Sequence, residues 1–207
     1  MKEMTSLERC MAVLNGNMPD KLPVVPQCFM LAVETAGMKI SDVNKNGRKM
    51  AEAHFISQEK YGYDGCVIDF DDATIAEAVG AKVIFRDDEP AIVDESEPVL
   101  KDLRDVYDLS IPDPFTSGRL NEWLEATRVL KEKIGDHVFI MGRADQGPFS
   151  IACLLRGTTQ FMMDLMTEDR QLIQDVLDYC RKVSAVFAKA QKDAGAHATS
   201  IGDALAG

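Results

Sequence analysis

The stretch Val138-Phe-Ile-Met-Gly-Arg-Ala-Asp-Gln-Gly-Pro-Phe-Ser-Ile-Ala-Cys-Leu-Leu-Arg-Gly157 decides the fold. Its apolar run, residues 138–141, has the length of a strand, and Gln146-Gly147-Pro148 is a turn signal. Apolar residues at helical spacing follow Pro148, which suits the first turn of a helix because its missing N–H would have no partner there. The stretch therefore predicts a strand, a polar elbow containing Arg143, Asp145 and Gln146, and a helix. Proteins of the α/β class place their chemistry at such elbows.

The same alternation of strands and helices continues in both directions along the chain. Further strands are predicted at residues 22–27, 64–72 (with a buried portion from Cys66 to Phe70) and 198–203. Helices are predicted behind the capping box of Thr5 and Glu8 and at residues 48–61, 73–80, 119–134 and 167–194. Residues 82–85 and 91–94 predict a hairpin, 103–109 a helical turn, and 37–46 an irregular segment. Strands that alternate with covering helices predict an α/β fold with a parallel sheet.

The composition excludes several classes of function. The 207 residues are 46% hydrophobic, which is enough for one sizeable core or two small ones. A formal net charge of −11 argues against nucleic acid as a partner, and the acids between Asp87 and Asp108 are interpreted as a solvated surface. No apolar run approaches the roughly 18 residues of a membrane span, and the N-terminus is acidic where a signal peptide would be basic. We therefore expect a soluble cytoplasmic protein.

The cysteines and histidines show no metal-site spacing. The five cysteines are widely separated, and the chain contains no Cys-x-x-Cys, His-x-Cys or His-x-x-x-His pair. The sequence therefore contains no short motif that predicts a zinc site. We expect reduced, buried thiols. His54 falls in an amphipathic helical stretch, where a structural role is expected, and His197 has Thr199 rather than cysteine two residues on.

Several short motifs carry a family resemblance. Gly147-Pro-Phe-Ser-Ile151, followed by Leu154-Leu-Arg-Gly157 and Phe161-Met-Met-Asp-Leu-Met166, resembles the Gly-x-Pro-aromatic-Thr/Ser-Leu motif of the uroporphyrinogen decarboxylase superfamily. Ala76-Glu-Ala-Val-Gly80 resembles the helix of that superfamily after the second strand, and Leu7-Glu8-Arg9 with Pro23-Val24-Val25 resembles its beginning.

The resemblance implies a (β/α)8 TIM-barrel fold, of which this chain would supply the first half. That half comprises an N-terminal helix, about four β/α units and a β-hairpin insertion, in one partial domain that spans residues 1–207. Four strands cannot close a barrel of this type, which typically needs about 250 residues. We therefore expect that the chain is truncated at its C-terminus or comes from a split gene.

Residues just past the ends of the strands are the candidate site, because in such a barrel they line one mouth. This rule selects Asp71 and Asp72 as catalytic residues and Gln27, Asp145, Gln146 and Asp203 as substrate-binding residues. Several acids around one cavity would repel one another unless a cation or hydrogen-bond donors lie between them. The alternative is that one or two of them, Asp72 especially, cap the helices that follow.

The resemblance leaves two activities to compare. The decarboxylases of the superfamily carry an Arg-Gln-x-x-Arg cluster after the first strand, and a tyrosine where this chain has Cys153-Leu154. Here no arginine occurs between Arg9 and Arg48, and neither methionine nor glutamate can replace guanidinium contacts to carboxylates. Asp71 does correspond to the aspartate of the decarboxylases. The methyltransferase branch, which moves a methyl group from a corrinoid protein to a thiol or similar acceptor, is therefore the better fit.

The methyltransferase resemblance also implies cofactors and partners. A zinc ion would lower the pKa of the acceptor thiol, and its His-x-Cys and Cys ligands would lie beyond residue 207. A corrinoid on a partner protein would be the methyl donor, and a small molecule the acceptor. Two alternatives remain, namely decarboxylation of a tetrapyrrole, and a non-catalytic half-barrel that pairs with itself or with a complementary chain because its edges are open.

Overall fold

The computed structural model describes residues 3–206, apart from the side chain of Asp145. Its helices are α1 Ser6–Leu14, α2 Phe29–Thr35, α3 Ile40–Val43, α4 Gly47–Tyr61, α5 Thr74–Val79, α6 Leu120–Ile134, α7 Pro148–Arg156, α8 Thr158–Thr167 and α9 Arg170–Asp193. Its strands are β1 Gly65–Ile68, β2 Val83–Ile84, β3 Ile92–Val93, β4 Phe139–Gln146 and β5 Ala198–Gly202, and a 3-10 helix covers Leu103–Asp108. In this part of the chain no helix is long and apolar enough to cross a membrane.

The sheet confirms the α/β prediction. It has three strands in the order β1-β4-β5, and β1 runs parallel to β4 with Gly65 opposite Phe139 and Ile68 opposite Gly142. All four residues of β1 are buried, as is usual for a parallel strand with both faces covered. β2 and β3 form the predicted antiparallel hairpin.

The prediction of a strand at residues 22–27 is wrong. Residues 22–28 have no strand assignment, although the carbonyl of Val24 accepts a hydrogen bond of 2.7 Å from the backbone N–H of Asp64. Pro23 and Pro26 carry no N–H, so this segment cannot donate the regular series of hydrogen bonds that a strand needs. Instead, the N–H of Val24 donates to the side chain of Asp64 at 2.8 Å.

The strand that opens the central stretch is longer than predicted. β4 continues past Met141 to Gln146, so Arg143, Asp145 and Gln146 lie within the strand and not in an elbow. Pairing with β5 extends to the end of the strand, where the N–H of Gly147 donates to the carbonyl of Gly202 at 2.6 Å. The helix after it, α7, begins at Pro148 as predicted.

The other helices differ from the predictions in detail. The segment predicted to be irregular, residues 37–46, contains the single turn α3. The long C-terminal helix, predicted from residue 167, begins at Arg170, because the side chain of Asp169 accepts hydrogen bonds from the N–H groups of Gln171 and Leu172 and so starts it.

The chain forms two compact units. Unit 1 takes its described residues from Met1–Phe70, Glu122–Arg143 and Gln191–Thr199, and unit 2 from Asp71–Asn121, Ala144–Ala190 and Ser200–Gly207. The largest fully buried side chains of unit 1 are Trp123, Phe70, Met50, Ile68, Leu124, Leu130 and Ile140. Those of unit 2 are Phe161, Phe187, Ile75, Leu100 and Leu120.

A buried arginine connects three segments of unit 1. Arg9 on α1 is 3% exposed, and its guanidinium donates to Asp20 at 2.7 Å, to Asp64 at 2.5 Å and to the carbonyl of Met4 at 2.9 Å. Asp64 immediately precedes β1 and also accepts a hydrogen bond from Ser6 at 2.8 Å. Since the donors of Arg9 and the acceptors of Asp64 are used together, this group fixes α1 at the beginning of β1.

His54 occupies the core of unit 1, as the sequence predicts. It is 1% exposed, and its ring meets the ring of Phe70 edge-on, with centroids 5.3 Å apart. Its Nε2 atom is buried without a hydrogen-bond partner. Burial lowers the pKa of His54 to about 4, because an imidazolium there would lose its hydration.

This burial predicts a pH dependence of stability. Because the folded pKa lies below the unfolded value near 6.5, the unfolded state binds the extra proton first as the pH falls. The contribution of neutral His54 to the free energy of unfolding should thus be fully present above about pH 6.5. It should fall by up to about 1.4 kcal/mol per pH unit as the pH is lowered towards 4. Urea unfolding of the chain and of His54→Gln, measured at pH 7 and pH 5, checks this. The variant should lose less stability over that interval than the parent, and the exposed His137→Gln should behave like the parent.

Candidate functional site

A buried carboxylate at the end of β1 organises the candidate site of unit 1. Asp69 follows the last residue of β1 and is 2% exposed. Its Oδ2 atom accepts a hydrogen bond of 2.5 Å from the amide Nε2 of Gln27 and lies 3.1 Å from Nε of Arg143. From the sequence, Gln27 was predicted to bind substrate and Arg143 was predicted to lie in the polar elbow, but Asp69 was treated as part of a buried strand. An aspartate inside an apolar run was the available signal, since this residue is almost never fully buried unless paired.

The backbone of Arg143 is held from the opposite side by α9. Gln191 is fully buried, and its amide donates to the carbonyl oxygen of Arg143 at 2.6 Å. The neighbouring Gly142 makes room for this contact, because a Cβ at that position would lie 2.6 Å from Oε1 of Gln191. The backbone position from which the Arg143 side chain extends is therefore fixed within β4.

In unit 2, Asp71 is an anchor for α5. It is 2% exposed, and its Oδ1 accepts hydrogen bonds from the N–H of Ala73 at 3.0 Å and from the hydroxyl of Thr74 at 2.8 Å. Arg119 donates to Oδ2 at 2.7 Å and to Oδ1 at 3.3 Å. Both oxygens of this predicted catalytic residue are therefore occupied by the protein itself.

Arg119 joins two carboxylates and an aromatic ring. It is 6% exposed, pairs through Nε with Glu77 at 2.5 Å, and lies 4.9 Å from the centroid of the Phe85 ring. Burial by itself would lower the pKa of Arg119, but the hydrogen bond and charge of Asp71, with the charge of Glu77, raise it above its usual value. Arg119 could not be predicted from the sequence as part of this cluster, because it stands at the predicted beginning of α6 with no local pattern that marks it.

Two predicted site residues come together in unit 2. The amide Nε2 of Gln146 donates to Oδ1 of Asp72 at 2.6 Å. Asp72 is exposed, whereas Gln146 is only 8% exposed and its backbone carbonyl accepts a hydrogen bond of 2.9 Å from Ser184. Asp72 therefore presents its carboxylate at the surface of unit 2 in a fixed orientation.

Asp203 caps the N-terminus of α7, although it lies more than 50 residues further along the sequence. It follows β5, and its carboxylate accepts hydrogen bonds from Ser150 N–H at 2.8 Å, Ser150 Oγ at 2.7 Å and Phe149 N–H at 3.2 Å, at the first turn of α7. Gly147, which lacks a capping side chain, must be glycine, because a Cβ there would lie 2.5 Å from Asp203. The carboxylate meets the N-terminal end of the helix dipole, where negative charge is favoured.

The single cavity expected for all six residues stays a prediction. Gln27 contacts Asp69 in unit 1, while Asp71, Asp72, Gln146 and Asp203 belong to unit 2, where a hydrogen bond joins Gln146 to Asp72. The side chain of Asp145 lies outside the described residues, and its backbone forms part of β4.

Among the described side chains of residues 3–206, no three His, Cys, Asp or Glu residues form a group that could hold a metal ion. All five cysteines are free thiols, and burial raises the pKa of Cys66 and Cys180 to about 12. His197 is engaged within unit 1. Its Nδ1 accepts the N–H of Ile140 at 2.9 Å, and burial followed by the charge of Lys131 lowers its pKa.

Comparisons with known proteins agree over the whole chain. The family described as Uroporphyrinogen decarboxylase (URO-D) matches residues 5–207. Two curated relatives are a Methylcobamide:CoM methyltransferase MtbA of Methanosarcina mazei, 27% identical over 213 residues, and a Methylcobamide:CoM methyltransferase MtaA of Methanosarcina barkeri, 25% identical over 212 residues. Each alignment covers 100% of this chain, which spans 60% of the length of the relative.

A solved structure gives the same result for the fold. It is of a methyltransferase from Methanosarcina mazei that is 26% identical, with a TM-score of 0.87 over 99% of this chain and 60% of the other. These findings confirm the family resemblance and the TIM-barrel type of α/β fold that the motifs predicted.

The buried pair of Asp71 and Arg119 predicts a large stability effect. Arg119→Met should lower the free energy of unfolding by about 3–5 kcal/mol, because it leaves the buried carboxylate without its counter-charge. Adding Asp71→Asn to this variant should recover part of the loss, since the charge is removed while an oxygen still accepts from Ala73 and Thr74. Urea unfolding measures both effects. Arg104→Met, which removes an exposed ion pair with Asp102, is the control, and an Arg119→Met loss no larger than that of the control would contradict the prediction.

Proposed function

Because the chain belongs to the uroporphyrinogen decarboxylase family, we propose that it forms the N-terminal part of a corrinoid-dependent methyltransferase. The methyl group would pass from a methylated corrinoid on a partner protein to a thiol or a similar acceptor. Support comes from the relatives that align with 100% of this chain, which are methylcobamide:CoM methyltransferases.

The observation that carries this proposal is the segment after Gln27. It forms α2, whose Met30 and Leu31 are 55% and 42% exposed, and no arginine occurs between Arg9 and Arg48. A tetrapyrrole with several carboxylates requires guanidinium groups that bind oxygens in pairs, and this apolar helix offers none. Methyl transfer is therefore favoured over decarboxylation, although the decarboxylase alternative keeps one matching residue, Asp71.

The predicted site residues take different roles in this proposal. Asp72 is the carboxylate best placed to reach a substrate, because it is exposed and is held by a single hydrogen bond from Gln146. Asp71 would act by holding α5 and Arg119, since its oxygens are already used. We propose Gln27, Asp145 and Gln146 as substrate-binding residues, and we assign Asp203 the task of fixing the beginning of α7.

The described residues do not fit the zinc ion that the resemblance implies. No group of three ligands exists among them, and the buried thiols have raised pKa values that disfavour the thiolate a metal needs. We therefore propose that the zinc ligands lie outside this part of the chain.

We also propose that the protein is cytoplasmic and associates, with itself or with a chain that completes the barrel. In unit 1, Met18 and Leu22 are 88% and 83% exposed, and in unit 2 Met166 is 86% exposed. Contiguous apolar patches, rather than single apolar side chains, are typical of surfaces that contact another polypeptide, so this proposal requires that these side chains belong to such a patch.

A chimeric protein tests the methyltransferase proposal. These residues would replace the N-terminal 60% of the Methanosarcina mazei relative, and methyl transfer from methylcobalamin to a thiol would be followed by mass spectrometry of the S-methyl product. We expect transfer, and we expect Asp72→Asn to lower its rate at least about tenfold through loss of a charge at the site.

The control is the C-terminal part of the relative alone, which should not transfer. A chimera that unfolds cooperatively yet transfers no methyl group would contradict the proposal. Release of carbon dioxide from uroporphyrinogen by the same chimera would instead support the decarboxylase alternative.

A further inference from the structure

Three methionines form an exposed group on α8, the methionine triad, which consists of Met162, Met163 and Met166. They are 40%, 57% and 86% exposed, whereas α8 buries Phe161 and Asp164 on its other side. Methionine supplies three of the four large apolar side chains that this helix leaves exposed. Leucine would cover such a face equally well if only apolar surface were needed, so the repeated sulfur atom points to a chemical role.

The spacing of the triad places the three side chains on one side of the helix. With about 100° of rotation per residue, Met166 lies about 40° from Met162 and about 60° from Met163, and therefore between them, one turn further along. Long side chains on a helix lean towards its N-terminus, so Met166 extends back towards the turn that carries the other two. Residues three and four apart are neighbours on a helix surface. The three thioethers can therefore reach a common point.

The helix beneath the triad is firmly held in unit 2. Asp164 is 2% exposed and accepts hydrogen bonds from Arg156 at 2.7 Å and from Gln160 at 2.8 Å. Phe161 is fully buried, and its ring centroid lies 5.4 Å from that of Phe149. Because these contacts fix α8 against α7, the triad projects from a rigid backbone, while its exposed side chains can rearrange around a ligand.

The chemistry of the triad selects a particular class of ligand. A thioether sulfur is a soft, uncharged ligand, and soft sulfur ligands select Cu(I), whereas zinc takes thiolate, imidazole or carboxylate ligands. A cysteine must lose a proton before it binds a metal, but a thioether needs no deprotonation. The triad thus differs in kind from the groups of His, Cys, Asp and Glu side chains that hold zinc.

We propose that the methionine triad binds one soft monovalent metal ion, of the class of copper(I), through its three sulfur atoms. The ligands are neutral, so the bound ion keeps its positive charge, and the formal net charge of −11 of the chain favours a cation at its surface. The site lies on the outer face of α8 and does not depend on the proposed methyl transfer.

NMR spectroscopy of the purified chain with 13C-labelled methionine methyl groups tests this proposal. Silver(I), an air-stable ion of the same class, is the probe, and it is added in chloride-free buffer. The methyl signals report the thioethers separately from the five cysteines. We expect the three signals of the triad to shift together along one saturation curve, and we expect zinc to leave them unchanged.

The substitution Met166→Leu keeps the apolar volume and removes one sulfur ligand. It should raise the silver concentration that half-saturates the signals of Met162 and Met163 at least about tenfold, because even residues that only support a metal ligand contribute that factor. If Met166→Leu fails to fold, as circular dichroism would reveal, Met163→Leu replaces it, with the signals of Met162 and Met166 as the readout.

The matched control is Met18→Leu. Met18 is 88% exposed and has no methionine three or four residues away, so its replacement should leave the half-saturating concentration unchanged. Triad signals that move no more than the signal of Met18 overturn the proposal. The same half-saturating concentration with and without the sulfur of Met166 also overturns it, and the triad would then be apolar surface alone.

Discussion

The parallel pairing of β1 with β4 is the constraint on which unit 1 depends. With Ile68 opposite Gly142, the next residues along the two strands are Asp69 and Arg143, a carboxylate and a guanidinium that meet where neither could be buried alone. A shift of one residue would turn either side chain to the other face of the sheet and separate the charges. Gly142 supports the same register, because its lack of a Cβ lets the Gln191 side chain approach β4 and donate a hydrogen bond to the carbonyl of Arg143.

Unit 2 uses its carboxylates in a different way. Asp71 and Asp203 each stand after a strand and accept backbone N–H groups at the start of a helix, α5 and α7 respectively. Both residues do follow a strand, which is the position by which the sequence rule selected them. That position does not reveal whether a carboxylate faces a cavity or a helix N-terminus, since that depends on which donors the fold brings near. Asp69 was not predicted as a site residue, because its partners, Gln27 and Arg143, are remote from it in the sequence.

The fold was easier to predict than the site, because it depends on local periodicity. The helices α4 and α6 and the hairpin of β2 and β3 follow directly from apolar spacing and turn residues. The prediction failed at residues 22–27, where two prolines in an apolar run prevent the hydrogen-bond ladder, and at the end of β4. There the strand continues through polar residues, because pairing with β5 outweighs the composition of the segment.

The acidity of the chain affects how charged molecules approach it. With a formal net charge of −11, it repels anions at long range. Salt shortens the reach of that repulsion to about 8 Å at physiological ionic strength, while a mostly buried contact is screened far less. Association with a negatively charged molecule would therefore become faster as salt is added, which is opposite to the usual behaviour of a basic protein.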